Sequence, residues 1–131
     1  MEAAKKIEKG AILMGEFGYE ARLFEFYEVM EIKKQKNGEY AVLKQLRKQH
    51  RYEPGPDGKI YFDTPEYVLP ILGEYAKKPQ WNKKLNDYVT KEVCFKRQIK
   101  QSSYFGDYCA VSSYERAYIW DGEEKFTYNY H

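Results

Sequence analysis

The feature that most constrains this chain is an Asn-Gly pair, Asn37-Gly38, between two long runs of strand-forming residues. Leu23–Lys34 leads into the turn Gln35–Gly38, and Glu39–Arg51 leads out of it. Asn and Gly adopt positive φ easily, as both central residues of a type I′ hairpin turn must. Aromatic and β-branched residues alternate along the flanks with the period of a pleated strand. The sequence therefore predicts a long hairpin in a mostly antiparallel β domain.

The first strand of this hairpin carries apolar side chains at both odd and even positions, and so on both of its faces. One predicted face holds Phe24, Phe26, Met30 and Ile32, and the other holds Leu23, Tyr27 and Val29. A strand that is apolar on both faces is covered on both faces. We therefore expect this strand to be central.

Short patterns elsewhere predict the remaining elements. Further strands are expected at Gly10–Gly15, Lys59–Phe62, Val93–Lys100, Tyr108–Ser113 and Lys125–Tyr130. The Pro-Gly-Pro-Asp-Gly stretch within Tyr52–Gly58 predicts a loop. Thr64 and Pro65 form a typical helix start, as N-cap and first helical residue. Tyr114–Gly122 is expected to be a turn or a short helical piece.

These elements predict a mainly β fold: a small antiparallel barrel or strongly bent sheet, SH3-like or OB-like, with one short helix or flap. At 131 residues the chain is expected to form a single β-rich domain, 1–131. Residues 70–91 form a lysine-rich segment with two prolines and one tryptophan. We expect it to be an irregular insertion, either a loop with one short helix or a mobile flap.

Charge is unevenly distributed along the chain although the net charge is only +2. Lys33–Arg51 contains seven basic residues and one acidic residue, and Lys77–Lys100 contains eight basic and two acidic residues. Acidic residues gather elsewhere, so the molecule is expected to have a basic side and an acidic side. The 14 tyrosines can line a core edge or form a binding surface, because each ring has an apolar body and a polar tip.

The N-terminal residues lack the apolar core of a signal peptide, and no stretch approaches the roughly 20 apolar residues of a spanning helix. This pattern predicts a soluble protein without membrane contact, located in the cytoplasm. Cys94 and Cys109 are then expected to be reduced. A disulfide between facing strands is the alternative.

No catalytic or metal motif stands out. His50 is the only internal histidine, it ends a basic strand, and no nucleophile motif accompanies it. Cys94, Cys109, His50 and His131 lack metal-ligand spacing, and no glycine-rich phosphate loop occurs. The chain is therefore expected to be a non-enzymatic protein without a cofactor or metal.

Basic residues interleaved with aromatic residues are the strongest candidate site, because small barrels bind nucleic acid by stacking bases on rings in a basic groove. The candidates on the predicted strands are Arg47, Lys48, Arg51, Lys96 and Arg97; Tyr52 follows the first of these strands, and Tyr104 and Phe105 lie in the loop after the second. The candidates on the insertion are Lys78, Trp81, Lys83 and Lys84. Trp81, flanked by lysines, is typical of an interface anchor, whereas Trp120 is expected to close a barrel end.

Several short motifs occur in a familiar order: GAILM at 10–14, GY at 18–19, FYEV at 26–29, FKR at 95–97, VSSY at 111–114 and WDG at 120–122. This order resembles a family of short proteins encoded by tailed phages, prophages and related mobile elements, over about two thirds of the chain. Members usually continue with Lys-Pro after the WDG motif, whereas this chain has Glu123-Glu124-Lys125 and a longer 70–91 segment.

The resemblance implies an origin in a phage or mobile element, and it transfers no activity or site. The expected function is binding to a host or anti-phage defence component, such as a CRISPR effector or a nucleotide-signalling system, and so inhibiting it. Direct nucleic-acid binding is the alternative and predicts a steep salt dependence. A third hypothesis is capture of a nucleotide messenger by tyrosines and arginines in an oligomer. The sequence does not set the oligomeric state.

Overall fold

The computed structural model describes residues 6–17, 23–61 and 64–127, and these residues form strands and connecting loops without a helix. The ten strands are β1 (Ile12–Phe17), β2 (Leu23–Gln35), β3 (Gly38–Tyr52), β4 (Glu66–Tyr75), β5 (Lys77–Asn82), β6 (Asp87–Glu92), β7 (Cys94–Ser102), β8 (Gly106–Ser112), β9 (Glu115–Ile119) and β10 (Lys125–Thr127). The mainly β fold class predicted from the sequence is confirmed.

Six of the strands close into an antiparallel barrel. Their order is β3-β2-β1-β9-β8-β7, and pairing of β7 with β3 completes the circle. The far half of β3 leaves the barrel and pairs with β4, on which β10 forms the outer edge. Strands β5 and β6 pair only with each other. Closure removes two of the exposed sheet edges that a flat sheet would present.

The predicted central hairpin is confirmed as β2–β3, and its turn is shifted by one residue. Gln35 lies opposite Gly38, so Lys36 and Asn37 are the central residues. The positive φ, 136°, is at Gly38, and the backbone carbonyl of Asn37 accepts a hydrogen bond of 2.8 Å from the Gln98 side chain. A β-carbon on Gly38 would lie 2.7 Å from the Gln98 amide nitrogen. The positive φ therefore favours glycine at this position, and a larger residue would also require the end of the Gln98 side chain to move.

A bulge in β2 changes which residues share a face. Val29 lies opposite Leu43 and Glu31 lies opposite Val42, so Met30 is the extra residue. A bulge shifts the side-chain alternation by one position. Ile32 therefore packs in the barrel interior with Val29, and its predicted grouping with Phe24 is wrong.

Two separate cores result. The barrel interior is filled by Ile7, Leu13, Tyr27, Val29, Ala41, Leu43, Cys109 and Ala117. A second core, of Phe24, Phe26, Leu46 and Val68, lies on the outside of β2 and is covered by β4. Trp120 closes this second core, because its ring meets Phe26 edge-on at 5.8 Å and its indole nitrogen donates to the Glu123 carbonyl at 2.8 Å.

Several predicted elements are wrong. The helix expected at Thr64 is absent: Glu66–Tyr75 is strand β4, because pairing with β3 satisfies its backbone and buries Val68. Tyr114–Gly122 contains strand β9, and 59–61 is loop rather than strand. Residues 62 and 128–130, the ends of the strands predicted at Lys59–Phe62 and Lys125–Tyr130, lie outside the described residues. The 70–91 insertion is regular, since most of it forms the β5–β6 hairpin.

Candidate functional site

The β5–β6 hairpin, here called the ribbon (Lys77–Glu92), leaves the barrel at a single point on β3. The edge of β3 pairs with β7 as far as Lys44 and with β4 from Leu46 onward. Gln45 lies between the two partners: its amide donates to Val93 O at 3.0 Å, and its carbonyl accepts from the Ala76 amide at 2.9 Å. The ribbon thus continues β4 and β7 outward from the place where they diverge.

The ribbon is a regular two-stranded antiparallel ladder. Its register runs from Lys77 opposite Glu92 to Asn82 opposite Asp87. Asn82 shapes the turn, because its side-chain oxygen accepts hydrogen bonds from the amides of Lys84, at 2.9 Å, and Leu85, at 3.1 Å. Asn86 adopts φ of 52°, a left-handed conformation that asparagine tolerates. The Asn82 hydrogen bonds and the left-handed conformation of Asn86 therefore explain why the Asn-Lys-Lys-Leu-Asn sequence forms the turn.

Two aromatic rings stack across the ribbon without entering a core. Trp81 lies directly opposite Tyr88, with ring centroids 5.2 Å apart and planes at 74°. Trp81 is 52% exposed and Tyr88 is 65% exposed. An edge-to-face pair of this kind stabilises a hairpin by about 0.5–1.5 kcal/mol beyond its buried area. The pair therefore stiffens the ribbon and leaves both rings accessible.

Exposed lysines without carboxylate partners lie along the ribbon and in its turn. Lys78, Lys83 and Lys84 are exposed. Within the described residues, none of the three has a carboxylate at salt-bridge distance. Lys83 and Lys84 lie in the turn, next to the exposed side chain of Leu85. All four candidates predicted on the insertion thus lie on the ribbon, but only Lys83 and Lys84 follow closely on Trp81, whereas Lys78 lies on the opposite face of the ladder, across from Lys91.

The basic residues of β3 are arranged differently, because each of the main cations is paired with a carboxylate. The pairs are Lys44–Glu92 at 3.0 Å, Arg47–Glu74 at 3.5 Å, Lys48–Glu25 at 2.8 Å, His50–Glu66, Arg51–Glu53 at 3.0 Å and Arg51–Glu124. The acids come from β2, β4, β6 and the loops beside β3. The positive charge that the sequence shows along Lys44–Arg51 is therefore balanced in space, whereas Lys33, Lys34 and Lys36 near the β2–β3 turn have no carboxylate at salt-bridge distance within the described residues.

Two of these pairs hold parts of the fold together. Lys48 is half-buried and also donates to the Phe24 carbonyl at 3.0 Å, so it fixes β3 against β2. Arg51 stacks over the Tyr67 ring at 4.5 Å. Its hydrogen bonds to Glu124, and secondarily to Glu53, raise the pKa of the guanidinium above its ordinary value. The predicted candidates Lys48 and Arg51 thus have structural partners, and Tyr52 lies beside them at the exposed end of β3.

Lys96 and Arg97 are neighbours in sequence and lie on opposite faces of β7. Lys96 lies outside, with its ammonium over the Tyr40 ring at 5.1 Å. Arg97 lies on the same face of β7 as the inward-packed Phe95 and Ile99, and its guanidinium donates to the Val111 carbonyl at 3.1 Å. These two candidates therefore do not share one surface. The two basic segments do meet, because Tyr40–Lys44 of β3 pairs with Cys94–Gln98 of β7.

Sequence reasoning did not identify Glu92 and Tyr88 as parts of this region. Glu92 holds the base of the ribbon to β3 through Lys44, and this contact raises the pKa of the Lys44 ammonium. Tyr88 completes the ring pair with Trp81. The alternation of residues 87–92 around an Asn-rich turn is the signal that would have predicted the second strand.

Other site types lack support in the described ranges. No cluster of three or more potential metal ligands occurs among residues 6–17, 23–61 and 64–127. Within the same ranges, no helix has the length and apolar character needed to cross a bilayer. Both cysteines are free: Cys94 is exposed and Cys109 is buried. The His50 ring nitrogen contacts the Glu66 carboxylate, and this pair lies at the surface where β4 begins.

Comparison of the chain with protein-family models, with curated proteins and with solved structures finds no match in any of the three. The candidate site therefore rests on the geometry described above.

Proposed function

We propose that this protein is a non-enzymatic binding protein that uses the ribbon to contact an acidic surface of a partner protein. The observation that carries this proposal is the ribbon itself, which projects from the barrel with an exposed Trp81–Tyr88 pair and five lysines that have no carboxylate at salt-bridge distance among the described residues. Trp and Tyr are enriched among the residues that dominate binding energy at interfaces. Lysines around them would complement an acidic partner and speed association.

The ribbon has no other evident role in the fold. None of its residues belongs to either hydrophobic core. An isolated two-stranded hairpin is only marginally stable in water, so a chain gains little from carrying one unless it contacts something. Here the ladder is stiffened by the ring pair and the Asn82 turn, which lowers the entropy lost on binding.

For the partner we propose a host or anti-phage defence protein in the bacterial cytoplasm, inhibited by occupation of its surface. The support for this step is the ordered motif resemblance to phage and mobile-element proteins described above. The proposal includes no catalytic step.

Nucleic-acid binding by the ribbon is the second candidate. A two-stranded ribbon fits the major groove of B-DNA, and Lys78, Lys83 and Lys84 could contact phosphates. The basic residues of β3 are already paired with carboxylates, so we expect them to add few phosphate contacts. This candidate therefore predicts a modest salt slope, corresponding to about three released counterions.

The test is affinity capture with the full chain from bacterial lysate, with and without nuclease, compared among the wild type, Trp81→Ala and Lys83→Glu/Lys84→Glu. Leu72→Ala, an exposed apolar residue of β4, is the matched control. A protein that survives nuclease, is lost with both ribbon variants and is retained by Leu72→Ala supports the proposal. Recovery of nucleic acid that nuclease removes favours the second candidate. A partner retained by both ribbon variants refutes the ribbon as the site.

A further inference from the structure

A second accessible group of aromatic side chains lies on the outer face of β8 and β9, across the barrel from β3. Tyr108 and Tyr118 are cross-strand neighbours, with ring centroids 5.2 Å apart and planes at 34°. Phe105 meets Tyr118 at 5.8 Å, and Tyr104 meets Phe105 at 6.4 Å. Four rings therefore form a continuous track from the β7–β8 turn onto the sheet.

The aromatic side chains in the two turns that flank β8 are open to solvent. Tyr104 is 89% exposed and Phe105 is 69% exposed in the turn before β8, and Tyr114 is 76% exposed in the turn after it. The seven residues of β8 span about 23 Å between these two turns. Scattered exposed rings are ordinary, but a contiguous aromatic patch on a protein surface marks a contact site.

A groove continues the track toward Tyr114. It has a volume of about 770 Å³, and Met14, Phe17, Tyr114, Arg116 and Tyr118 form most of its wall. The groove is therefore lined by apolar and aromatic side chains and one arginine. This lining suits a planar aromatic group of a ligand.

Two cations lie beside these rings. The Arg116 guanidinium lies 5.3 Å from the centroid of the Tyr108 ring, and Lys100 is the exposed cross-strand neighbour of Tyr108 on β7. Among the described residues, neither cation has a carboxylate at salt-bridge distance. Glu16 of β1, opposite Arg116, is the carboxylate that faces the groove. Aromatic faces flanked by cations complement a ligand with flat apolar rings on an anionic backbone.

We propose that this outer face binds single-stranded nucleic acid. Bases stack on Tyr104, Phe105 and Tyr114, and phosphates contact Lys100 and Arg116. Single strands fit because each base has a free π face, whereas a duplex hides its bases in the stack. The length between the two turns is compatible with the lower end of the four to sixteen nucleotides that small barrels bind. This site goes beyond the proposed function and shares no residue with the ribbon.

The test is fluorescence anisotropy with labelled 12-nucleotide oligo(dT) and oligo(U), compared with a 12-base-pair DNA duplex. We expect saturable binding of at least one single strand, at least tenfold tighter than the duplex. Phe105→Ala and Tyr114→Ala should each weaken it about tenfold, within the range for loss of one stacked base. Lys100→Ala should weaken all sequences equally and reduce the salt slope by about 0.7.

Leu72→Ala is the matched control, because it removes an exposed apolar side chain from β4, outside both this face and the ribbon, and should leave oligonucleotide affinity unchanged. All the substituted rings are exposed, and circular dichroism checks that each variant folds. Three results would overturn the inference: dissociation constants weaker than about 100 µM for every single strand, which is the level of non-specific binding, equal affinity for the duplex, or insensitivity to both ring substitutions. Saturable binding of a proline-rich peptide instead, lost with Phe105→Ala, would assign the face to a protein partner.

Discussion

The phenol of Tyr27 donates a hydrogen bond of 2.7 Å to Glu115 inside the barrel, joining β2 to β9 across β1. Both side chains are almost fully buried, at 3% and 7% exposure. Burial, and then the Glu115 contact, raise the pKa of Tyr27 far above its ordinary value, so the phenol stays protonated and acts as the donor. Within the described residues, the pair is one of two buried polar contacts in the barrel; in the other, the Asp107 carboxylate accepts a hydrogen bond of 3.0 Å from the Ile7 amide.

Gly15 of β1 makes room for this pair, and its replacement should destabilise the fold. A β-carbon at Gly15 would lie 2.1 Å from Glu115 Oε2 and 2.9 Å from Cγ, so a buried side chain would have to move. We expect Gly15→Ala to lower the free energy of unfolding by about 1–3 kcal/mol. Urea denaturation of Gly15→Ala, Glu115→Ala and the double variant measures this. Additive losses in the double variant would show that the two residues do not compete for space.

The Tyr27–Glu115 pair also predicts a pH dependence of stability. Burial raises the pKa of Glu115 above the ordinary 4.5, so the native state holds this proton more tightly than the unfolded chain does. The stability that Glu115 contributes is then full below the unfolded pKa and is lost as pH rises through the native pKa. Glutamine keeps an acceptor for Tyr27 and removes the charge.

We therefore expect the wild type to lose stability relative to Glu115→Gln as the pH rises from the ordinary pKa of 4.5 toward neutrality. Denaturation curves of both proteins at intervals across this range measure the difference, and titrations of the other groups cancel in it. A difference that grows in favour of the wild type as pH rises would mean that the carboxylate is stabilised in its charged form.

The two cysteines should differ sharply in reactivity. Burial raises the pKa of the Cys109 thiol to about 11, and its side chain lies in the barrel interior, whereas Cys94 is exposed at the base of the ribbon. A thiol reagent such as DTNB at about pH 8 should therefore modify one thiol in the folded chain and both in guanidinium. Folded Cys94→Ser should not react. Reaction of folded Cys94→Ser at the rate of the denatured chain would show that the barrel opens readily.

The hairpin and the alternating strands were predictable because local turn chemistry and period-two patterns dominate them. The failures have tertiary causes. The Thr64-Pro65 pair fits a helix start, but β3 offers an unpaired edge, and Thr64 instead accepts a 2.7 Å hydrogen bond from the Tyr61 amide in the preceding loop. Likewise, the face of Ile32 could not be predicted, because the bulge at Met30 is set by pairing with β3 and leaves no local signature.

The candidate site was predictable only where its residues are close together in the sequence. The insertion residues cluster because they are close in sequence, and a short hairpin keeps them together. The net surface charge around β3 could not be predicted by counting charged residues along the sequence. The carboxylates that neutralise its basic residues come from distant segments, such as Glu25, Glu74 and Glu124. Linear charge counts therefore overestimate the basic surface of a sheet whose strands alternate in charge.

The ribbon should be removable without loss of the barrel. Replacing 78–91 by an Asn-Gly turn keeps Lys77 and Glu92 as the closing pair, and with them the Lys44 contact and the Gln45 hydrogen bonds at the base. We expect the free energy of unfolding in urea to change by no more than about 1 kcal/mol, because no core residue is lost and the connection becomes shorter. The same protein should fail to capture a ribbon-dependent partner and should retain single-strand binding on β8 and β9. A loss of several kcal/mol would instead show that the ribbon is part of the cooperative fold.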